Sequence, residues 1–241
     1  MWDFLKTSQA SPPLFKTDLH SHLLPGLDDG VKSFDEVVSI ISTFQDLGFT
    51  KAITTPHIMS DYYKNSPAGI RQKMIELKEY LVGHNIVFNL ECAAEYYFDE
   101  TLLDLIQSGD EILTFGESYL LFETNTFAEP FMLDDLIFKL KVKNIKPVLA
   151  HPERYQYLQN NLSRVEDLIN RGVYMQINSL SLIGFYSKPI QKMARQLIDN
   201  KMIHFLGSDC HNPDQARHLN KCLSVKHFKK ALNLPLLNYK L

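Results

Sequence analysis

Little in this chain suits a membrane or a nucleic acid. No run approaches the roughly 18 consecutive apolar residues that a helical span requires. The opening M-W-D-F-L-K-T-S-Q-A sets Asp3 and Lys6 where a secretory leader would carry its apolar centre. Positive charge is not in excess: 25 Lys and Arg stand against 28 Asp and Glu, a net charge of −3. That balance offers no basic footprint for DNA, RNA or anionic lipid. Cysteine is scarce, and Cys92, Cys210 and Cys222 are odd in number and scattered. They do not read as a disulfide framework and are expected to be buried thiols. Long linkers, low-complexity tracts and internal repeats are missing too. These absences predict a cytoplasmic protein with no membrane insertion and no nucleic-acid partner.

What the chain does contain is an alternation. Seven short apolar runs read as strands: L-F-K-T-D-L-H-S-H, K-A-I-T-T-P-H, F-N-L-E-C-A-A-E-Y, Y-L-L-F-E-T-N, K-P-V-L-A-H-P, Y-M-Q-I-N-S and I-H-F-L-G-S-D-C-H. Between them lie amphipathic segments. Ser33 with Glu36 forms a capping-box signature, followed by Val37, Val38, Ile41 and Phe44 on one side and a stop at Gly48. Ser163 with Glu166 repeats that signature, ending at Gly172. Residues 67–82, 132–143 and 188–200 also fit helices. Strands alternating with helices predict parallel βαβ units. Seven such units can close into a barrel, and a doubly wound open sheet is the alternative. The barrel is favoured because polar residues collect at the C-terminal ends of most strands, where barrel enzymes assemble their chemistry. An open sheet would concentrate it near one switch point. The expectation is one domain over residues 1–241, with residues 1–16 as an N-terminal extension.

The strand ends carry a repeated residue type. In D-L-H-S-H, His20 and His22 are two apart and share one face of a strand. L-P-G-L-D-D-G follows, with Asp28 and Asp29, where Asp-Gly also suits a tight turn. T-T-P-H supplies His57, A-A-E-Y-Y supplies Glu95 and L-L-F-E-T-N supplies Glu123. A-H-P-E-R-Y adds His151, Glu153 and Arg154, and S-D-C-H adds Asp209 and His211. Singly, each has an ordinary reading as a half-buried histidine or a solvated carboxylate. Six such clusters at six strand ends point instead to a metal site, whose nitrogen and carboxylate donors suit Zn, Mn or Fe. His84, His204, His218 and His227 lie outside these ends and are expected to be structural.

These strings resemble the PHP (polymerase and histidinol phosphatase) superfamily of metal-dependent phosphoesterases. The branch they resemble most is the bacterial protein-tyrosine phosphatases that accompany capsule and exopolysaccharide tyrosine kinases. D-L-H-S-H-L-L-P-G-L-D-D-G and A-H-P-E-R-Y are the most specific matches, and the likeness runs from about Thr17 past His211. It implies an α/β fold, a distorted (β/α)7 TIM-like barrel. It also implies three divalent metal ions, commonly manganese or iron. Carried over by position, one takes His20, His22, Glu95 and Asp209. A second shares Glu95 and adds Glu123 and His151. The third takes Asp29, His57 and His211. Arg154 matches an arginine beside the metals, and Arg217 stands near where a second, phosphate-binding arginine would be. The implied substrate is the tyrosine-rich tail of a cognate kinase.

The expected chemistry follows from those ligands. Hydroxide held by the cations attacks phosphorus in line, with Arg154 clamping the equatorial oxygens. The cysteine-dependent alternative is excluded by spacing. It needs an arginine six positions after the cysteine, and Ala216 stands there relative to Cys210. Two readings compete with the tyrosine phosphatase. One is a small-molecule phosphatase such as a histidinol-phosphate phosphatase. The other is a non-catalytic binding protein stabilised by metal. The segment D-Y-Y-K-N after His57 reads equally as a substrate mouth or as a surface loop.

Overall fold

The computed structural model describes residues 14–241. Most of the expected N-terminal extension, residues 1–13, therefore lies outside the described residues. The seven apolar runs fold as nine short strands: β1 (Thr17–Asp18), β2 (Lys51–Thr54), β3 (His57–Ile58), β4 (Asn89–Cys92), β5 (Glu95–Tyr97), β6 (Tyr119–Glu123), β7 (Lys146–Ala150), β8 (Tyr174–Asn178) and β9 (Phe205–Gly207). Eight α-helices alternate with them among the described residues: α1 (Phe34–Asp46), α2 (Pro67–Gly83), α3 (Glu100–Ser108), α4 (Leu133–Val142), α5 (Leu162–Asn170), α6 (Lys188–Asp199), α7 (Pro213–Cys222) and α8 (Lys226–Leu232). None of them is long and apolar enough to cross a membrane.

All strand pairs are parallel, in the orders β1-β2-β4 and β3-β5-β6-β7-β8-β9. The two extra strands come from breaks within two of the runs. At Thr55-Pro56 the chain leaves the ladder, because proline has no N–H to donate. Thr55 N turns instead to Ser21 O at 2.7 Å. The neighbouring run breaks in step, at Ala93-Ala94. Pairing resumes beyond it with His57 opposite Glu95 and Tyr97 opposite Glu123. The outer strand positions also meet. Ser21 bridges Cys210 in parallel, Asp209 N donates to His20 O at 2.7 Å, and His22 N to Cys210 O at 2.9 Å. The segments that continue β1 and β9 are therefore hydrogen-bonded to each other just beyond the two strands, as a barrel favours and an open doubly wound sheet does not.

Two apolar clusters support this ring. The larger packs helices against the outer strand faces, with Val37, Ile40, Ile41 and Phe44 of α1 among its members. The smaller draws Leu19, Ile53, Ala93, Leu121, Val148 and Phe205 from successive strand positions. Leu121 and Glu123 are two apart on β6, so one strand face carries a core residue and then a polar residue at its C-terminal end.

The helix ends follow local chemistry. Ser33 accepts from Glu36 N, while Glu36 Oε2 accepts from Lys32 N at 2.7 Å, one residue earlier than a capping box would have it. Gly48, at φ +91°, ends the turn. The second expected box is not formed. Asn161, not Ser163, caps α5, its Oδ1 accepting from Arg164 N at 3.3 Å, and Ser163 lies within the first turn. An Asn two residues upstream with an extended φ outcompetes a serine already inside the helix.

His204 is half-buried just before β9, away from the C-terminal strand ends. Its Nδ1 accepts from Met175 N at 3.0 Å, and burial pushes its pKa down to about 4. The folded state thus binds fewer protons than the unfolded chain between roughly pH 4 and 6.5, so this group's contribution to stability is lost as pH falls through that window. In chelator, His204→Gln is expected to flatten the acid limb of stability by on the order of 2 kcal/mol. Urea unfolding of both proteins from pH 4 to 7 measures this. Parallel limbs would show that His204 is not the titrating group.

Candidate active site

Each strand position delivers its polar end to one place. Glu95 is the fully buried centre. Its Oε2 lies 3.0 Å from His20 Nε2, 3.3 Å from His22 Nε2 and 3.4 Å from His57 Nδ1, while its Oε1 lies 3.0 Å from His151 Nε2. Asp209 Oδ1 faces His20 and His22 at 3.4 and 3.5 Å. Glu123 lies 3.3 Å from His57 and 3.8 Å from His151. Asp29 Oδ1 is 3.7 Å from both His57 Nε2 and His211 Nε2.

Three sets have donor atoms within 4.8 Å of one another: His20, His22, Glu95 and Asp209; His57, Glu95 and Glu123; His22, Asp29, His57 and His211. The first set coincides with an expected grouping. In the other two, His57 stands where His151 was expected and His22 is an addition. An open pocket of about 340 Å³ lies over them, lined by Asp29, His57, Glu95, Glu123, His151, Arg154, Tyr186, Asp209, His211, Asn212 and Gln215. Two of these residues, His151 at φ +35° and Asp209 at φ +52°, hold left-handed backbones. Strained conformations of this kind collect at functional sites, and here they turn the chain sharply at a strand end.

The arrangement fits divalent cations. Glu95, Glu123 and Asp209 crowd together with burial working against the charge of each, and the more exposed Asp29 stands at the mouth beside them. Burial and the Glu95 carboxylate push Glu123 up to about 9. Against the same burial, the charges of Glu95 and Asp209 raise His20 to about 9. A cation among these groups removes their mutual repulsion. Moreover, the buried Nδ1 atoms of His57 and His151 have no hydrogen-bond partner. The other rings are held by their far nitrogens: His20 Nδ1 by Gln176 Oε1 at 2.8 Å, His22 Nδ1 by Asp28 Oδ2 at 2.7 Å, and His211 Nδ1 by Asp209 O at 2.9 Å. Each Nε2 is then directed to the cluster, as metal-ligating imidazoles usually are.

Residues 16–233 match the family described as capsular polysaccharide synthesis, CpsB/CapC. The chain belongs to the CpsB/CapC family. It is 30% identical to the tyrosine-protein phosphatase YwqE of Bacillus subtilis over 90% of this chain and 86% of that one. It is 29% identical to the tyrosine-protein phosphatase CpsB of Streptococcus pneumoniae, over 82% and 83%. A chain from the crystal structures of those two proteins, described there as metal-dependent tyrosine phosphatases, superposes with a TM-score of 0.77 at 27% identity, covering 93% of this chain and 94% of that one. The fold of this CpsB/CapC chain is thus the α/β, barrel-type arrangement that the motifs implied.

Arg154 lines the pocket. Its Nη1 donates to Asp209 Oδ2 at 3.2 Å and its guanidinium lies 5.3 Å from the centre of the Tyr186 ring. Glu153, the neighbour that could have neutralised it, points inward and accepts from Asn178 N and Ser181 Oγ instead. Arg217 does not join the pocket. It is exposed on α7 and donates to Asp214 Oδ1 at 3.1 Å. In the D-Y-Y-K-N segment, Tyr63 stacks on His57 at 5.5 Å, whereas Tyr62 is exposed.

Four supporting residues were missed in the sequence. Asp28 read as a turn residue. It is one, accepting from Gly30 N, but its other oxygen also holds His22 and His57 N. Gln176 and Asn178 sit two apart on β8, the same spacing that singled out His20 and His22. Asn178 Nδ2 donates to Asp209 Oδ2 at 2.6 Å. Tyr186 carried no signal, since it follows a glycine-phenylalanine turn far from any strand end.

Proposed function

We propose that the chain hydrolyses phosphotyrosine on a protein, using divalent metal held at the strand-end cluster. The observation that carries this reading is the convergence of five imidazoles and four carboxylates on one open pocket beside Arg154, in a CpsB/CapC chain. His20, His22, Glu95 and Asp209 would hold one ion. Glu95, Glu123 and His151 would hold a second, and Asp29, His57 and His211 a third. Manganese is the expected metal, with iron or zinc as alternatives. Such ions lower the pKa of coordinated water and offset charge on phosphoryl oxygens.

The protein's own groups do the rest. Arg154, held between Asp209 and Tyr186, presents donors to the phosphoryl oxygens as charge shifts onto them. Gln176 and Asp28 keep the His20 and His22 rings oriented, so that no ordering of those rings is needed when substrate binds. The tyrosine oxygen needs limited help to leave, because phenol has a pKa of roughly 10. The substrate in this reading is the tyrosine-rich tail of a bacterial kinase that controls capsule or exopolysaccharide synthesis.

Removing metal tests it. After chelation and return of manganese, turnover of a phosphotyrosine peptide is expected to vanish and recover, with histidinol phosphate a poor substrate. Preference for histidinol phosphate would reassign the substrate to a small molecule. Absence of metal-dependent turnover of either would leave a metal-stabilised binding protein.

A further inference from the structure

The pocket is lined by charged and amide side chains together with the Tyr186 ring, a lining suited to a phosphate ester and poor in apolar surface. Such a site recognises the ester but offers little to the polypeptide around it. Directly beyond Glu123, the loop that joins β6 to α4 shows the opposite character. Phe127 is 70% exposed and Phe131 is 102% exposed. High exposure of two phenylalanines on one loop is unfavourable for an isolated chain and marks a contact surface.

The loop is also firmly tied. Asn125 Oδ1 accepts from Phe127 N at 2.8 Å and from Ala128 N at 3.2 Å. Gln156 N donates to Thr126 O at 2.7 Å, joining the loop to the turn that carries Arg154. Glu129 pairs with Arg164 of α5. The two rings are therefore displayed on a braced segment. Phe127, four residues past Glu123, has its Cα within about 14 Å of that residue's Cα.

We infer that Phe127 and Phe131 form a docking rim for the polypeptide that flanks a phosphotyrosine, continuous with the catalytic pocket. This rests on the phosphatase reading above. The rim takes apolar or aromatic side chains beside the modified tyrosine, and it gives selectivity for protein-borne over free phosphate esters. Ordered backbone limits the entropy lost on docking, and aromatic anchors dominate contacts of this kind.

The test compares the manganese-loaded protein with its Phe127→Ser/Phe131→Ser variant on a phosphotyrosine peptide bearing apolar flanks and on p-nitrophenyl phosphate. The peptide's kcat/KM is expected to fall about tenfold, mainly through KM, with p-nitrophenyl phosphate unchanged. Equal loss on both substrates would overturn the inference, making the loop a support for the site. No loss on either would overturn it as well, and so would a change of oligomeric state by light scattering, which would assign the rings to contact between copies. In the last two cases wild-type turnover leaves the phosphatase reading standing. An unmodified protein inactive on both substrates would remove reading and inference together.

Discussion

Glu95→Gln is expected to lower phosphotyrosine turnover at saturating manganese by roughly a thousandfold or more, while the barrel stays folded. The size follows from its place. Four imidazoles approach one carboxylate within 3.4 Å, and the residue belongs to two of the three donor sets. Losing an outer partner of a metal ligand costs about 10–100-fold, so losing a carboxylate shared between two ion positions should exceed that. A binding readout separates chemistry from collapse. Manganese at a hundred times its dissociation constant stabilises a protein by about 2.7 kcal/mol for one site, and the variant should show a clearly smaller shift in thermal midpoint than the natural chain. Near-normal turnover with a normal shift would remove Glu95 from the metal centre.

Gly30→Ala is expected to damage the site from outside it. A Cβ there would stand 2.4 Å from His22 O, 2.6 Å from His22 Cβ and 2.9 Å from Asp28 Oδ1. The first contact is backbone, so no rotamer change relieves it. The turn must move away, taking Asp28 from His22 Nδ1 and Asp29 from His57 and His211. Overpacking of this kind costs about 1–3 kcal/mol, and loss of the Asp28 support should weaken manganese binding about 10–100-fold. Gly83 of α2 is the control, because nothing lies within 4 Å of a Cβ placed on it. Gly83→Ala should be neutral, or stabilising by up to about 1 kcal/mol. Urea unfolding and manganese titration of both variants measure the contrast. If Gly30→Ala bound manganese like the natural chain, the packing of this turn would not be what aims His22.

Much of this site could be read in the sequence because strand geometry is regular. His20 and His22, two apart, had to share a face, and Glu95, Glu123 and Asp209 each followed an apolar run that ended where a barrel collects its chemistry. The resemblance supplied the fold and the grouping into three sets. What escaped was decided by tertiary contacts. Pro56 marks one of the breaks locally, but nothing local says that Thr55 N will turn to Ser21 O or that the neighbouring run will break in step at Ala93-Ala94, so two runs were read as unbroken strands. Asp28 has a sufficient local role in its turn, which hid its second bond to His22. Gln176 and Asn178 are amides on a buried strand, and their partners lie on other strands. Arg217 sits on a helix, where one position rotates a side chain by about 100°, and that rotation sends it to Asp214 instead of the pocket. Ser163 lost the cap of α5 to Asn161 because only one of them lies before the first helical turn.

The meeting of the segments just beyond β1 and β9 also sets a clock. Ser208 Oγ donates to His20 O across 188 residues of chain, and Asp209 reaches the histidines from beside it. At about 5–20 residues per second of synthesis, His20 and His22 are made roughly 10–40 s before Asp209 and His211. Until then the early imidazoles lack half their partners, and closing so long a loop carries an entropic cost that only the completed ring repays. A nascent chain that ends before Asp209 therefore cannot bring all of these donor side chains together, and a cation that needs the whole set would be bound only after the last strand has been made.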